Sequence, residues 1–278
     1  MADEPQAKRA PESAAGDGRG AASSRFAEQV IIVTGGADGL GKAITERLST
    51  QEGARAVAIF DIAEESKGKA VAQAMTDDSE CSGEVVYYRV DVSDEASVKE
   101  AVTGVVARYE RLDAVVNCAG IVGPNGVKVA DVSLDDFDRV YRVNLRGSFL
   151  ITKHCIPHML ERNYGRVLLI ASIAGKEGNA GMCAYSTSKA GVIGLAKAVG
   201  KEYAETGVTV NALAPGVVRT AMVEAMEPQQ VQYMTDKIPM KRCCRLDEVA
   251  STVCFIISNE TSFNTGYCFD LSGGRATY

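Results

Sequence analysis

The sequence predicts one doubly wound α/β domain, in which a parallel sheet of seven strands is covered by helices on both faces. The first observation is a continuous run of β-branched residues at 30–33, typical of a strand buried on both faces. The second is the alternation of further apolar runs with helical patterns of ten or more residues. No linker-like stretch interrupts that alternation after Arg25, so a second domain is not expected.

The chain divides by composition into residues 1–24 and 25–278. The first part is mostly Ala, Gly, Ser, Pro and charged residues, with little apolar surface to offset the entropic cost of ordering a backbone. We therefore expect a disordered tail followed by a single folded domain. Its strands are predicted at 30–33, 56–60, 85–90, 114–117, 166–171, 208–214 and 266–271.

Composition narrows the possible partners. The net charge of −6 and the absence of a basic patch argue against nucleic acid, and no apolar run reaches the roughly 18 residues that a membrane span needs. The eight cysteines contain no C-x-x-C pair, which favours free thiols in a reducing compartment. Because residues 1–24 also lack an apolar signal region, we expect a cytoplasmic protein. His154 and His158 lack a third ligand, so no metal is expected.

A glycine-rich turn follows the first strand and precedes a helical pattern at 42–49. Glycines at 35, 36, 39 and 41 allow a pyrophosphate to approach the backbone and the helix N-terminus. The second strand ends in Asp61, 20 residues past Gly41, where a carboxylate can bind an adenosine ribose. Asp61 and Asp38 would repel a 2′-phosphate, which favours NAD over NADP. Asp38 is equally suited to capping the helix.

Tyr185 and Lys189 are four residues apart in a helical pattern, so both project from one face. We expect the ammonium to lower the pKa of the phenol, which would then act as a general base or acid. Ser172 ends the fifth strand, at the sheet edge where ligands of such folds lie, and its hydroxyl is suited to bind a substrate oxygen.

Together, these motifs resemble the classical short-chain dehydrogenase/reductase family over about residues 26–278. The motifs are Thr-Gly-x-x-x-Gly-x-Gly at 34–41, Asp-Val at 91–92, Asn-Cys-Ala-Gly at 117–120, Val-Asn-Leu at 143–145, Tyr-x-x-x-Lys at 185–189 and Pro-Gly at 215–216, with Ser172. The resemblance implies an NAD-binding Rossmann domain over 25–278 that transfers a hydride between nicotinamide and a secondary alcohol or ketone. It also implies a homodimer or homotetramer, with which the small-residue helix at 190–199 is compatible.

The resemblance further assigns roles to individual residues. It makes Asn144 the fourth catalytic residue beside Ser172, Tyr185 and Lys189, holding a water that leads protons from Lys189 to solvent. The residues expected to contact the cofactor are Gly35, Asp38, Gly39, Leu40, Gly41, Asp61, Ile62, Asp91, Val92, Asn117, Ala119, Gly120, Tyr185, Lys189, Pro215, Gly216, Val218 and Thr220. Cys118 departs from the family, which usually has a second Asn there; we expect this thiol to serve packing.

Two loops are expected to shape the substrate pocket: a wall at 175–182 and a flexible lid at 215–240. The polar residues of the wall suit a hydroxyl-rich or acidic substrate. The segments 173–182, 233–240 and 272–278 resemble a subgroup that oxidises 2-keto-3-deoxy sugar acids from L-fucose or L-rhamnose breakdown. Candidate substrate contacts are Lys176, Asn179, Met182 and Arg275. Lys176 or Arg275 would pair with the substrate carboxylate.

Two other functions remain open from the sequence. A 3-oxoacyl thioester reductase would share the fold, although Asp38 and Asp61 argue against it. A dinucleotide-sensing or scaffolding protein without turnover would be expected to lack part of the Ser172, Tyr185 and Lys189 set, and all three are present.

Overall fold

The computed structural model describes residues 25–278, apart from the side chain of Met222. The predicted tail, residues 1–24, lies outside the described part. The sheet has the order β3-β2-β1-β4-β5-β6-β7, and every neighbouring pair is parallel. Its strands are β1 (Val30–Thr34), β2 (Ala56–Asp61), β3 (Glu84–Arg89), β4 (Ala114–Asn117), β5 (Gly165–Ile170), β6 (Val208–Pro215) and β7 (Cys268–Leu271). The predicted α/β fold with seven parallel strands is confirmed.

Helices cover both faces of the sheet. They are α1 (Gly39–Thr50), α2 (Glu65–Thr76), α3 (Glu95–Tyr109), α4 (Leu134–Tyr141), α5 (Gly147–Glu161), α6 (Ile173–Glu177), α7 (Cys183–Glu202), α8 (Ala221–Glu224), α9 (Pro228–Asp236) and α10 (Leu246–Ile256). None of the helices within residues 25–278 is long and apolar enough to cross a membrane.

The alternation of side chains along β1 explains why this strand has a continuous apolar sequence. Val30 and Ile32 pack into the core beneath α3, α5 and α7, whereas Ile31 and Val33 pack into the core beneath α1 and α10. All four side chains are fully buried. Because each buried side chain of this size contributes about 1.5–3 kcal/mol, polar residues on either face would destabilise the sheet.

The order of the strands determines where a ligand can bind. The chain passes from β1 outward to β2 and β3, and then returns to place β4 on the other side of β1. In a sheet of this order, ligands bind at the carboxyl ends of the strands where the loops after β1 and β4 diverge, and we expect the crevice there. Thr34 and Asn117, which are paired in register, lie at the base of this crevice.

Two local features differ from the sequence prediction. β7 begins at Cys268 rather than at 266, because Gly266 has φ of +68°, outside the range of an extended strand. Between α4 and α5 the chain forms a π-helical turn, Arg142–Arg146, which periodicity did not predict. This turn contains Asn144.

Candidate active site

The glycine turn leaves an open space above the N-terminus of α1. A Cβ at Gly41 would lie only 2.1 Å from the carbonyl oxygen of Gly35, so a larger residue does not fit. Gly39 has φ of +52°, and a Cβ there would meet no atom within 4 Å. Asp38 caps α1 by accepting a hydrogen bond from the Gly39 N–H at 2.7 Å. The remaining unpaired N–H groups of the first turn are suited to a pyrophosphate.

Asp61 connects the end of β2 to this turn. Its Oδ2 accepts a hydrogen bond from the Ala37 N–H (3.1 Å), and its Oδ1 accepts one from the Ala63 N–H (3.0 Å). Arg89, which pairs with Asp61 in register, forms its ion pair with Glu64 instead, at 3.2 Å. Within residues 25–278 Asp61 forms no ion pair, and an unpaired carboxylate binds ribose hydroxyls and repels a 2′-phosphate. These residues therefore fit NAD better than NADP.

The residues predicted at the adenine end have different degrees of exposure. Ile62 is 65% exposed and offers an apolar surface beside Asp61. Asp91 accepts hydrogen bonds from both the N–H and the hydroxyl of Ser93, each at 2.8 Å. The Val92 side chain is only 6% exposed and packs near Gly147. Any contact between Val92 and an adenine would therefore come from its backbone.

Asn117 forms part of the rigid floor of the crevice. Its Oδ1 accepts a hydrogen bond from the Thr34 hydroxyl (2.8 Å), and its Nδ2 donates one to Ser148 (2.9 Å). The same Thr34 hydroxyl accepts from the Ala119 N–H at 3.0 Å. Thr34 and Ser148 were not among the predicted site residues. Thr34 was nonetheless visible in the sequence as the first residue of the glycine motif.

Asn144 is fully buried within the π-helical turn and connects three segments. Its Oδ1 accepts from the Ile121 N–H (2.8 Å), and its Nδ2 donates to the Ile121 carbonyl (2.9 Å) and to the Ser188 hydroxyl (3.0 Å). A Cβ at Gly120 would lie 3.2 Å from this Oδ1 and 3.4 Å from Lys189 Nζ. The side chains of Asn144 and Lys189 therefore both lie next to Gly120.

Ser172 and Lys189 are brought together by β5, α6 and α7. Ser172 lies two residues after the last residue of β5. Its Oγ accepts a hydrogen bond from the Ala174 N–H and so caps the N-terminus of α6. Lys189 Nζ donates to the Ile170 carbonyl at 2.7 Å. Tyr185 lies one turn before Lys189 on α7, and Lys189 Nζ is 5.8 Å from the centre of the tyrosine ring.

Burial has opposite effects on the pKa values of the two helical residues. Burial raises the pKa of Tyr185, although a hydrogen bond to Ser172 opposes that rise. Burial also lowers the pKa of Lys189 to about 8, with a smaller opposing effect from Cys118. Lys189 does not offset that rise in this arrangement, so the lowering of the Tyr185 pKa by the ammonium stays a prediction. The ammonium donates to a carbonyl rather than to the phenol, and burial dominates.

The surroundings of Cys118, His154 and His158 indicate structural roles for these side chains. Loss of hydration raises the pKa of Cys118 to about 12, so its thiol stays protonated at neutral pH. His154 contacts Glu95 at 3.1 Å, whereas His158 contacts Glu161 at 3.7 Å. Over residues 25–278, no group of three His, Cys, Asp or Glu side chains is arranged to hold a metal ion.

The two cations predicted to meet a substrate carboxylate are already paired with carboxylates of this chain. Lys176 Nζ donates to Asp270 at 2.8 Å, and its side chain is 4% exposed. It lines a depression of about 390 Å³ that contains none of the four predicted catalytic residues. Arg275 donates to Glu177 (2.8 Å) and to Asn179 (3.1 Å). Lys176 is thus already neutralised by Asp270, and its substrate role stays a prediction.

Asn179 and Met182 lie in the wall that leads to Tyr185. The Asn179 N–H donates to the Ser186 hydroxyl at 3.1 Å, and its Nδ2 lies 3.9 Å from Met182 Sδ. Met182 immediately precedes α7, three residues before Tyr185. Both side chains are part-buried.

The predicted lid begins where β6 ends, at Pro215. Gly216 is half-buried, and Val218 forms an isolated parallel bridge with Cys244. Thr220 directly precedes α8, and α9 follows shortly after. Two short helices therefore occupy the segment that the sequence analysis described only as a loop. Leu40, on the other side of the crevice, packs against the core formed by α1 and α10.

Comparison with known proteins identifies the class that this fold and site define. The family model for short chain dehydrogenase matches residues 29–231. The chain belongs to this family, and the predictions of the family and of an NAD-dependent oxidoreductase are confirmed.

Individual relatives cover nearly the whole chain. A 2-dehydro-3-deoxy-L-rhamnonate dehydrogenase (NAD(+)) of Sphingomonas sp. is 42% identical over 256 residues, which are 92% of this chain and 98% of that protein. A 4-formylbenzenesulfonate dehydrogenase of Comamonas testosteroni is 39% identical, over 89% of this chain and 98% of that protein. A 3-oxoacyl-[acyl-carrier-protein] reductase of Thermotoga maritima is 36% identical, over 90% of this chain and 98% of that protein.

Proposed function

We propose that this chain transfers a hydride between NAD and a secondary alcohol or ketone in a polar or acidic sugar derivative, such as a 2-keto-3-deoxy sugar acid. The observation that carries the proposal is the meeting of Asn144, Lys189 and Gly120 beside Ser172 and Tyr185 at the carboxyl end of the sheet. The sugar-acid class is supported by the 42% identical relative from Sphingomonas and by the polar wall residues Glu177 and Asn179.

Each member of the catalytic group has a distinct proposed role. Tyr185 removes the proton of the alcohol during oxidation and returns it during ketone reduction. Ser172 donates a hydrogen bond to the substrate oxygen and stabilises the charge that develops there. Lys189 provides a cation near the Tyr185 phenol. Asn144 holds the backbone at Ile121, beside the path by which protons would leave Lys189 for solvent.

Bound NAD would supply the hydride acceptor and, when oxidised, a positive charge near the phenol. The first turn of α1 would hold its pyrophosphate, and Asp61 would hold the ribose. A tyrosine that titrates near pH 7 rather than 10 requires about 4 kcal/mol of stabilisation of the phenolate. Burial of Tyr185 opposes this, whereas the Ser172 hydroxyl favours it. The lysine would contribute more at a shorter distance than its present 5.8 Å from the ring centre.

A 3-oxoacyl thioester reductase is the second candidate function. The 36% identical relative from Thermotoga maritima favours it. The carboxylate of Asp61, which forms no ion pair in the part of the chain that the structure describes, argues against a cofactor that carries a 2′-phosphate. A sensing or scaffolding protein without turnover is a weaker candidate, since Ser172, Tyr185 and Lys189 are all retained.

We propose that the protein assembles as a homodimer or homotetramer. Each chain would have one catalytic domain over residues 25–278, and the assembly would work in the cytoplasm. Support comes from the outer strand β7 and the neighbouring aromatic residues. Phe255 is 44% exposed, Tyr267 is 55% exposed and the Phe263 side chain is fully exposed. Exposed aromatic residues next to a sheet edge favour contact with a second copy. Sedimentation equilibrium would test this, and a monomer at micromolar concentration would contradict it.

The catalytic proposal is tested by measuring initial rates with NAD and with NADP. The panel contains sugar acids, neutral sugars, polyols, simple secondary alcohols and 3-hydroxyacyl thioesters. NAD-dependent oxidation of a deoxy sugar acid, lost in Tyr185→Phe, would support the proposal. A preference for NADP and thioesters would favour the second candidate, and no turnover on any substrate would favour the sensor.

A further inference from the structure

Residues 272–278, which we call the strap, form an ordered segment after β7. The Ser272 N–H donates to Asp270 Oδ1 at 3.0 Å, and the Ala276 N–H donates to the Ser272 hydroxyl at 3.0 Å. Ala276 is only 8% exposed, although it lies two residues before Tyr278. The strap therefore has one defined path across the surface.

Arg275 connects the strap to the wall at 175–182. One guanidinium nitrogen donates to Glu177 Oε2 at 2.8 Å and another donates to Asn179 Oδ1 at 3.1 Å. The Arg275 side chain is 11% exposed, and that of Glu177 is 28% exposed. Because the guanidinium is planar and rigid, these two bonds fix Glu177, the last residue of α6, relative to Asn179, two residues further along the wall.

A second connection lies one residue earlier in the wall. The Tyr278 hydroxyl donates to the Lys176 carbonyl at 2.6 Å, and Lys176 Nζ lies 4.9 Å from the centre of the Tyr278 ring. The same ammonium is paired with Asp270 at the base of the strap. Arg275 and Tyr278 thus hold successive residues of the wall, Glu177 and Lys176.

Two glycines give the wall conformational freedom, although the Asn179 N–H also donates to Ser186 on α7. Gly178 and Gly181 have φ values of +75° and +77°, and a Cβ at Gly178 would meet no atom within 4 Å. Asn179 lies between these glycines, on the path from Ser172 to Tyr185. Because glycines leave the backbone free to adopt other conformations, the position of Asn179 depends on its contacts with other segments.

The strap also contacts the lid. The Met240 N–H donates to the Gly273 carbonyl at 3.3 Å. Gly274 lies against Pro239, where a Cβ would approach the proline ring to 3.4 Å, and Ile238 is 3% exposed beside Gly273. The strap therefore touches both loops that are expected to enclose the substrate.

We propose that the strap sets substrate affinity by positioning the wall, with Arg275 as the positioning residue, rather than by offering its guanidinium to the substrate. The inference rests on the proposed alcohol–ketone chemistry at Tyr185. It replaces the direct role that sequence analysis suggested for Arg275. Its consequence is that Arg275 matters equally for acidic and for neutral substrates, because both meet the same wall.

The test compares full-length wild type with Arg275→Met, Arg275→Lys and Glu177→Gln. The matched control is Arg108→Met on α3, which breaks an exposed ion pair with Glu84 of β3. We expect Arg275→Met to raise KM for the best acidic and the best neutral substrate about tenfold each, with KM for NAD changed less than twofold. Glu177→Gln should raise both substrate KM values as well. Arg275→Lys should restore part of the affinity, because lysine can keep only one of the two contacts.

A rise in KM for the acidic substrate alone, with Glu177→Gln unchanged, would overturn the proposal in favour of direct binding of the carboxylate. Unchanged KM values in all three variants would overturn it as well. Hydrogen exchange at the amides of 176–182 gives a readout without turnover: Arg275→Met should raise it at least tenfold, and Arg108→Met should not. If the wild type turns over no substrate, the proposed function fails, whereas the exchange result still decides whether the strap holds the wall.

Discussion

Replacing Asp61 by Asn tests how the protein distinguishes NAD from NADP. The carboxylate sits at the end of β2 between the N–H groups of Ala37 and Ala63, and its register partner Arg89 is occupied by Glu64. Asn keeps the shape and one acceptor oxygen, but removes the charge. Hydrogen bonds to a charged group contribute about 1.5–3 kcal/mol and those to a neutral group about 0.5–1.5 kcal/mol, so the NAD complex should lose about 1–2 kcal/mol.

The loss of charge should also strengthen the binding of NADP. A carboxylate about 5 Å from a phosphate costs on the order of 3 kcal/mol per unit charge at an effective dielectric constant of 20, before screening by salt. We therefore expect the ratio of NADPH to NADH dissociation constants to fall by at least about 100-fold, equivalent to roughly 2.7 kcal/mol. Fluorescence titration with both reduced cofactors measures it. Glu65→Gln, which removes an exposed carboxylate four residues away that pairs with Lys69 and leaves the Arg89–Glu64 pair in place, is the control.

An unchanged ratio in Asp61→Asn would show that this carboxylate does not face the ribose. An equal change in Glu65→Gln would show that the effect comes from the general charge of the region rather than from Asp61.

Three further predictions concern the turn, the thiol and the buried amine. Gly41→Ala should weaken NADH binding at least about tenfold, because its Cβ would lie 2.1 Å from the Gly35 carbonyl oxygen; titration checks this, and wild-type affinity would contradict it. Cys118 should remain unlabelled by iodoacetamide at pH 7.5, because its pKa is about 12; rapid labelling seen by mass spectrometry would refute this. The pKa of Lys189 is about 8 when folded and 10.5 in the unfolded reference, so between those values this amine holds more proton when unfolded and its own contribution to stability should rise with pH. Lys189→Met should abolish that rise and raise the unfolding free energy at pH 7 by up to about 3 kcal/mol, less the lost bond to Ile170. Urea unfolding at pH 7 and pH 10 measures it, and an identical pH dependence in both proteins would contradict it.

Features that depend on local sequence could be predicted. The strand β1 is buried on both faces, so its apolar run was visible without the fold, and β4 was placed with its observed bounds, Ala114–Asn117. The glycine turn was predictable for the same reason, since Gly41 is required by an atom only six residues away in sequence.

Features that depend on distant partners could not be predicted. The cationic charge of Lys176 suggested a substrate contact, but its carboxylate partner Asp270 is 94 residues away in sequence. The partner of Arg275 is Glu177, 98 residues away. A charge pattern reveals which residues are cations, but it does not show which of them the fold has already neutralised.

The environment of the catalytic group was also hidden in the sequence. Helical spacing placed Tyr185 and Lys189 on one face, as observed on α7. It did not show that the Lys189 ammonium donates to the Ile170 carbonyl. It also did not show that Asn144 lies in a π-helical turn held by Ile121 and Ser188.

The most direct test of the account is the initial rate of NADH formation from NAD and a 2-keto-3-deoxy sugar acid, in wild type and in Tyr185→Phe. Removing only the phenol oxygen leaves the ring that packs on α7, so binding of NADH should stay within about twofold. We expect turnover in the wild type and a loss of at least about 1,000-fold in the variant, equivalent to about 4 kcal/mol. Turnover that persists in Tyr185→Phe would contradict the assignment of Tyr185 as the proton-transferring group.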